Sequence, residues 1–228
     1  MALPDLGPLW LTLHLAAITT VLLLIVGTPL SWWLAHTRSR AKSFIEALTA
    51  LPLVLPPTVL GFYLLVFLSP TSPIGAAWVT VTGSALTFSF AGLVVASLLY
   101  SLPFTVQPLQ ATFEVIGRAP LEAAASLRAT PLDAFFTVAS PMAFRGYLTA
   151  VVLSFTHTIG EFGVVLMVGG NIPGQTRVIS IAIYDHVETL NYDTAHTLSA
   201  MLLAFAFLVL LLVYTLNRRF PLGVWTES

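Results

Sequence analysis

Long apolar runs separated by short polar segments dominate the chain. The runs cover about residues 9–35, 48–68, 85–107, 142–168 and 197–216. Each is long enough, as a helix, to cross the roughly 30 Å of hydrocarbon in a bilayer. The pattern therefore predicts an all-α integral membrane protein with five transmembrane helices, forming a single domain over residues 9–217.

Composition supports a membrane protein and excludes some chemistry. The 228 residues are 57% hydrophobic and 8% charged, whereas soluble domains carry about 25% charged residues. The chain has no cysteine, which excludes disulfides and thiolate metal sites. The five histidines are scattered without metal-ligand spacing, so we expect no metal site.

Basic residues are unequally distributed between the two predicted sides of the membrane. With the N-terminus outside, only Arg177 remains on the outer side. The inner segments then hold the other eight basic residues: Arg38, Arg40, Lys42, Arg118, Arg128, Arg145, Arg218 and Arg219. Because inner loops are enriched in Lys and Arg, we predict an outer N-terminus and a cytoplasmic C-terminus.

The segment Gly117–Pro141 interrupts the apolar pattern on the predicted cytoplasmic side. Pro120 and Glu122 suit the first turn of a helix, and Thr130 to Asp133 is typical of a capping box that opens a second helix. Ala123 and Ala124 give the first helix a face of small side chains. This pattern indicates either a helix that fits a groove on another protein or an ordinary, well-capped polar loop.

Two features of the spans suggest a function at membrane depth. Pro52, Pro56 and Pro57 fall within the second span, and prolines leave backbone carbonyls without donors. They indicate either a bent helix that lines a pore or simple packing kinks. Glu161 lies near the outer end of the fourth span, where an acid is either functional or an interfacial carboxylate that reaches for water.

The chain lacks the means to bind nucleotide. Its single lysine, Lys42, follows no glycine-rich loop, which a P-loop requires. If transport is driven by ATP, another subunit must therefore bind the ATP and magnesium. Residues 169–196 form a predicted outer loop with a short surface helix near 176–190.

Several motifs resemble those of known transport proteins. Glu122-Ala123-Ala124, followed by Pro141 nineteen positions after the Glu, is similar to the EAA loop of ABC-importer permeases, although Arg128 stands where that pattern has glycine. The stretches PLVLPPTVLG (52–61), GEFG (160–163) and NIPGQTR (171–177) resemble the molybdate permease family. Sulfate permeases share the GEFG-like segment and a proline-rich second span.

The resemblance implies a type I ABC permease that works as a homodimer in the inner membrane, in contact with lipid and not with nucleic acid. It implies two ABC ATPase subunits inside and an oxyanion-binding protein outside, and no cofactor or catalytic residue on this chain. The implied coupling residues are Glu122, Ala123, Ala124, Arg128 and Pro141. The implied translocation path contains Pro52, Pro56, Pro57, Gly61, Glu161, Phe162 and Gly163. The residues expected to face the binding protein are Asn171, Pro173, Gly174 and Arg177.

The implied substrate is molybdate, with tungstate and sulfate as alternatives. No Lys or Arg lies in the middle of any span, so we expect selectivity to come mainly from the delivering protein. Other function classes are a membrane enzyme, which the absence of a catalytic cluster disfavours, and a passive anion channel or membrane scaffold. Neither of the last two would use a small-faced cytoplasmic helix.

Overall fold

A computed structural model describes residues 5–219, and within this range the regular structure is entirely helical. Twelve helices and one π-helical turn, Phe135–Ala139, follow one another. The helices are α1 (Gly7–His36), α2 (Lys42–Val54), α3 (Pro57–Leu68), α4 (Pro73–Thr82), α5 (Phe90–Ile116), α6 (Ala119–Ser126), α7 (Pro131–Ala134), α8 (Ser140–Met142), α9 (Phe144–Gly160), α10 (Gly163–Gly169), α11 (Ile179–Glu188) and α12 (Tyr192–Arg219).

Three helices of the described range are by themselves long and apolar enough to cross a membrane: α1, α5 and α12. Two bent pairs also qualify if each pair counts as one span, namely α2 with α3, and the 131–142 segment with α9. The count of five spans therefore depends on how the bent pairs lie in the bilayer, and it stays a prediction.

The second apolar run is not one continuous helix. Leu55 and Pro56 have extended backbones, with ψ of 135° and 136°, because a residue that precedes proline avoids the helical region. Helices α2 and α3 consequently meet at an angle of 115°. Pro52 lies inside α2 without breaking it, so two of the three prolines produce the bend.

The loop and helix boundaries near the third run also differ from the sequence prediction. The predicted turn between the second and third runs contains α4, which Ser72 caps by accepting a hydrogen bond from the Gly75 amide at 2.9 Å. Helix α5 continues nine residues past the predicted end at Gln107, to Ile116. Its last turns leave the apolar stretch and carry Gln110 and Glu114, which contact Lys42 and Glu46 of α2.

Helix α5 is the centre of the bundle and packs against α1, α9 and α10. Its buried residues lie one helical turn apart and reach from one end of the bundle to the other. The largest are Leu93, Val106, Leu109 and Phe113. Burial of such side chains contributes about 1.5–3 kcal/mol each, so α5 positions the elements around it.

The predicted surface helix near 176–190 is present as α11, but only one of its faces lies on the surface. Ile179, Ile181 and Ala182 are buried, and the helix packs between α1 and α12. The amide of Ile179 donates to Thr12 Oγ1 of α1 at 2.8 Å. The buried face consists of apolar residues that contact the bundle, and the placement of α11 at the membrane surface stays a prediction.

The contacts show which charged residues lie at the same end of the helical bundle. Lys42 meets Glu114 near the end of α5, and Arg118 Nη2 donates to the His36 carbonyl at the end of α1 at 3.1 Å. Arg177 lies at the opposite end, two residues before Ile179. This is the grouping on which the predicted orientation depends.

Candidate functional site

A cavity of about 500 Å³ lies at the junction of the broken helices. It is lined by Pro57 and Thr58 of α3, Tyr100 of α5, and a run around the break between α9 and α10: Thr156, His157, Gly160, Glu161, Phe162 and Gly163. Four residues that the sequence assigned to the translocation path thus come together here: Pro57, Glu161, Phe162 and Gly163. Pro52, Pro56 and Gly61 are not part of the cavity wall.

Helix α3 packs on α10 with no space between them at two glycines. A Cβ built on Gly61 would lie 2.8 Å from Met167 Cβ. A Cβ built on Gly163 would lie 2.8 Å from Pro57 Cβ. Gly61 therefore contributes to the site by close packing behind the wall, and Gly163 contributes both to the wall and to the packing.

Glu161 is buried at the break between α9 and α10. Its side chain is only 3% exposed, which contradicts the alternative of an interfacial carboxylate that reaches for water. Ser97 of α5 donates to Glu161 Oε2 at 2.7 Å, and Ser180 of α11 donates to the main-chain carbonyl at 2.6 Å. The Glu161 Oε1 atom is buried and has no hydrogen-bond partner among the described residues.

A seam of buried hydroxyl groups joins α5 to α9 below Glu161. Thr105 pairs with Ser154, and Ser101 contacts both Thr158 Oγ1 at 3.0 Å and His157 Nδ1 at 2.9 Å. Polar side chains between membrane helices hold the helices together in this way. The seam was not predicted, although hydroxyl residues recur at every fourth position of α5: Ser97, Ser101 and Thr105.

His157 is the most polar ring in the cavity wall. Its ring stacks on Phe104 with a centroid distance of 4.0 Å and lies 4.7 Å from the Tyr100 ring. Thr158 donates its hydroxyl proton to the Ser154 carbonyl, so Ser101 must donate to Thr158 and accept from His157 Nδ1. The three bonds require a proton on His157 Nδ1, which in the neutral imidazole is the Nδ1–H tautomer.

The Gly117–Pro141 segment forms the predicted short helices. Thr130 Oγ1 accepts from the Asp133 amide at 3.3 Å and caps α7. Helix α6 buries none of its residues: Glu122 and Ala123 are exposed, and Ala124 is half-buried. Pro141 is exposed in the first turn of α8.

Arg128 has a left-handed backbone conformation, with φ of 65°. Its side chain is exposed. This is the conformation that glycine adopts without steric cost, so the structure gives a physical reason for the glycine of the EAA pattern at this position.

An aromatic cluster fixes the segment to the bundle. The Trp32 ring of α1 lies edge-on to Phe113 of α5 at 5.1 Å and to Phe135 of the π-helical turn at 5.0 Å. This contact could not be predicted from the sequence, because the three residues are far apart along the chain. The segment is thereby packed against α1 and α5.

The predicted outer loop is closed by its own hydrogen bonds. Asn171 accepts from Arg177 Nε and donates to Asp185 Oδ1 at 3.0 Å, and Arg177 Nη2 lies 3.8 Å from Asp185 Oδ2. Pro173 and Gly174 are exposed at the tip of the loop, where Gly174 has φ of 72°. The Arg177 charge is therefore balanced within the loop.

Comparison with known proteins places this arrangement in one family. Residues 27–221 match the family model described as "Binding-protein-dependent transport system inner membrane component". The chain is 59% identical over 220 residues to the molybdenum transport system permease protein ModB of Azotobacter vinelandii, covering 96% of this chain and 97% of the relative.

More distant relatives are also described as transport system permease proteins. Identity is 31% to ModB of Escherichia coli K12, covering 94% of each chain, and 32% to the sulfate transport system permease protein CysT of the same organism, covering 92% of this chain and 75% of that one. A solved bacterial ABC transporter for alginate import shares the fold, with a TM-score of 0.75 and 17% identity over 94% of this chain and 79% of that chain.

Proposed function

The chain belongs to the family of binding-protein-dependent transport system inner membrane components, and we propose that it is the permease subunit of an ATP-driven importer of molybdate. The chain is a multi-pass protein of the inner membrane, with an ABC-importer permease fold. The observation that supports molybdate as the substrate is the 59% identity to a molybdenum permease over nearly the whole of both chains. The structure adds a cavity where two broken helices meet, which is the arrangement expected for a path at membrane depth.

The proposed complex contains a second copy of this chain, two ATPase subunits and an extracytoplasmic oxyanion-binding protein. ATP and magnesium are held by the ATPase subunits, and this chain catalyses no reaction. One solved relative is described as an alginate ABC transporter in complex with a pentasaccharide-bound periplasmic protein. That precedent supports a binding-protein partner here.

The cavity wall supports weak and transient contact with an anion. Its residues include no Lys or Arg, so a dianion entering it meets no fixed positive charge. Charge-assisted hydrogen bonds from Arg and Lys are among the strongest contacts to an oxyanion, and this wall offers none. We infer that the binding protein selects the oxyanion and that the permease gives it passage.

Exposure of α6 supports its role as the ATPase-coupling helix. A cytoplasmic helix without buried residues has no structural use for its alanine face within the chain. Docking in a groove of the ATPase would cover that face. The aromatic contact of Trp32 with Phe135 would then transmit motion to α1.

Reconstitution of the chain with its ATPase and binding protein in vesicles tests this proposal. We expect ATP-dependent uptake of radiolabelled molybdate that requires the binding protein and that unlabelled molybdate abolishes. Stronger competition by sulfate than by molybdate would assign the chain to sulfate transport, and equal competition by tungstate would make it a transporter of both metals. Uptake without ATP would identify a passive channel.

A further inference from the structure

Within residues 5–219, the carboxyl group of Glu161 forms no ion pair, although it is buried. Oε2 is held by Ser97 alone, and the buried Oε1 has no partner within residues 5–219. Because Oε1 is inaccessible in the single chain, neither cavity water nor a second subunit reaches it without a movement of the wall. Association with a second subunit therefore does not by itself supply a hydrogen-bond partner for Oε1.

The groups that contact Glu161 or line the cavity with it do not compensate a negative charge. Helix α5 contributes the Ser97 hydroxyl and the titratable phenol of Tyr100, and α9 contributes His157. Helix α11 contributes the Ser180 hydroxyl, which is used by the main-chain carbonyl. From α3 come only Pro57 and Thr58.

In its neutral form, His157 does not compensate a negative charge on Glu161. Its Nδ1–H is used by Ser101 in the neutral form, and its ring is covered by Phe104. An isolated carboxylate in such surroundings loses its hydration without gaining a counterion, which is strongly unfavourable. A carboxylic acid loses no charge-related hydration. With the proton on Oε2, the O–H donates to Ser97 Oγ, so the Ser97 contact is kept with its direction reversed. Oε1 is then a carbonyl-type oxygen, whose lack of a donor costs much less.

We propose that Glu161 is a proton-binding site in the cavity wall, occupied in this conformation, and that its neutral form lets a dianionic oxyanion pass. The first half of the proposal stands on the geometry of Glu161. The second half rests on the proposed function, since it concerns what crosses the cavity. A carboxylate here would repel a dianion at close range in a medium that screens charge poorly.

The presence of the proton on Glu161 is tested first, by a measurement that does not require transport. The infrared spectrum of the purified wild-type complex should contain the carbonyl stretch of a protonated carboxylic acid that is missing from the Glu161→Gln complex. Absence of this difference at neutral pH, with both complexes assembled, would overturn the proton site.

The effect of charge on passage is tested by uptake in two matched pairs. Glu161→Gln has nearly the same shape and no charge, so we expect uptake within twofold of wild type. Gly160 also lines the cavity, and nothing lies within 4 Å of a Cβ built on it. Position 160 is exposed, unlike the enclosed Glu161 carboxyl, so an Asp there keeps its hydration and its charge. Gly160→Asp should therefore lower uptake tenfold or more, whereas its neutral counterpart Gly160→Asn should keep it.

The outcomes separate the two proposals. Loss of uptake in an assembled Glu161→Gln complex, or equal uptake by Gly160→Asp and Gly160→Asn, would overturn the role of the neutral acid. Absence of molybdate, tungstate and sulfate uptake by the wild-type complex would overturn the proposed function, and the infrared difference would still decide whether Glu161 binds a proton.

Discussion

The ring of Pro57 lies against Gly163 so closely that a Cβ on Gly163 would be 2.8 Å from the proline Cβ. Pro57 begins α3 after the 115° bend, and Gly163 begins α10 after the break at Glu161. The two interruptions of the helices therefore face each other across one contact. A shift at either break changes the cavity between them.

Replacing Gly163 with alanine should separate α3 from α10. The added methyl group meets a rigid ring, and overpacking of this kind costs about 1–3 kcal/mol. Thermal unfolding of the purified protein should begin at a lower temperature, and uptake should fall. Gly160→Ala is the matched control, because its methyl group has open space; equal behaviour of the two variants would show that the Pro57 contact is not tight.

Thr12 should be important for stability, although it lies outside every motif. Its hydroxyl accepts from the buried Ile179 amide at 2.8 Å and donates to the Pro8 carbonyl. Thr12→Val has the same shape but leaves that amide without an acceptor, which costs about 1–3 kcal/mol. Denaturant unfolding in detergent should show this loss, and Thr12→Ser should largely restore stability. A valine variant as stable as wild type would show that α11 does not depend on this bond.

The apolar runs were readable from sequence because membrane insertion depends on local hydrophobicity. All five runs contain helices, and the bend at Pro57 follows from a local rule about residues before proline. The break at Glu161 is different: nothing within GEFG indicates that the acid turns inward. Its burial depends on Ser97, which is 64 residues away in sequence, and a single sequence does not show such a pairing.

The same limit applies to the Gly117–Pro141 segment. Its caps depend on neighbouring residues and were predicted from Thr130 and Asp133. Its attachment through Trp32 and Phe135 depends on tertiary packing. Of the seven predicted path residues, the cavity wall contains four, namely Pro57, Glu161, Phe162 and Gly163, and each lies at or beside one of the two breaks.

The orientation of the chain is testable because the sequence contains no cysteine. Thr71, Gln175 and Ser126 are exposed positions in three different connections. Single cysteines at Thr71 and Gln175 should react with a membrane-impermeant thiol reagent added to intact cells, since we predict both outside. A cysteine at Ser126 should react only after the membrane is opened, and its labelling in intact cells would reverse or refute the predicted topology.

Arg128→Gly should stabilise the protein. A non-glycine residue in the left-handed region costs about 1–2 kcal/mol, of which glycine recovers a part after its greater freedom in the unfolded chain is counted. We expect a higher unfolding temperature for the glycine variant. Arg128→Ala removes the charge but keeps the strained backbone, so it should not be stabilised; an equal gain in both variants would attribute the effect to charge instead.

Glu122 distinguishes a coupling helix from a well-capped loop. In the first turn of α6 it supports the helix dipole by about 0.3–1 kcal/mol. Truncation of a charge that is paired and buried at an interface costs about 2–5 kcal/mol. The two roles therefore predict effects of different size for Glu122→Ala.

Asp133 supplies the matched control for Glu122. It is also an exposed acid in the first turn of a short helix of this segment, α7, so Asp133→Ala loses the same dipole support outside α6. If α6 docks on the ATPase, Glu122→Ala should lose tenfold or more of the ATP hydrolysis that the loaded binding protein stimulates, since about 1.4 kcal/mol is tenfold. Asp133→Ala should stay within about threefold, as the smaller dipole contribution implies.

A larger side chain on the same face of α6 should act in the same direction as Glu122→Ala. Ala125 is exposed and lies close to one turn from Glu122, so Ala125→Trp adds an indole to the proposed contact without disturbing packing inside the chain. Co-purification with the ATPase should fall together with stimulated hydrolysis. Normal hydrolysis and uptake in both Glu122→Ala and Ala125→Trp would mean that the coupling surface lies elsewhere in the segment, because an indole and a missing carboxylate cannot both be accommodated in a groove shaped for alanine.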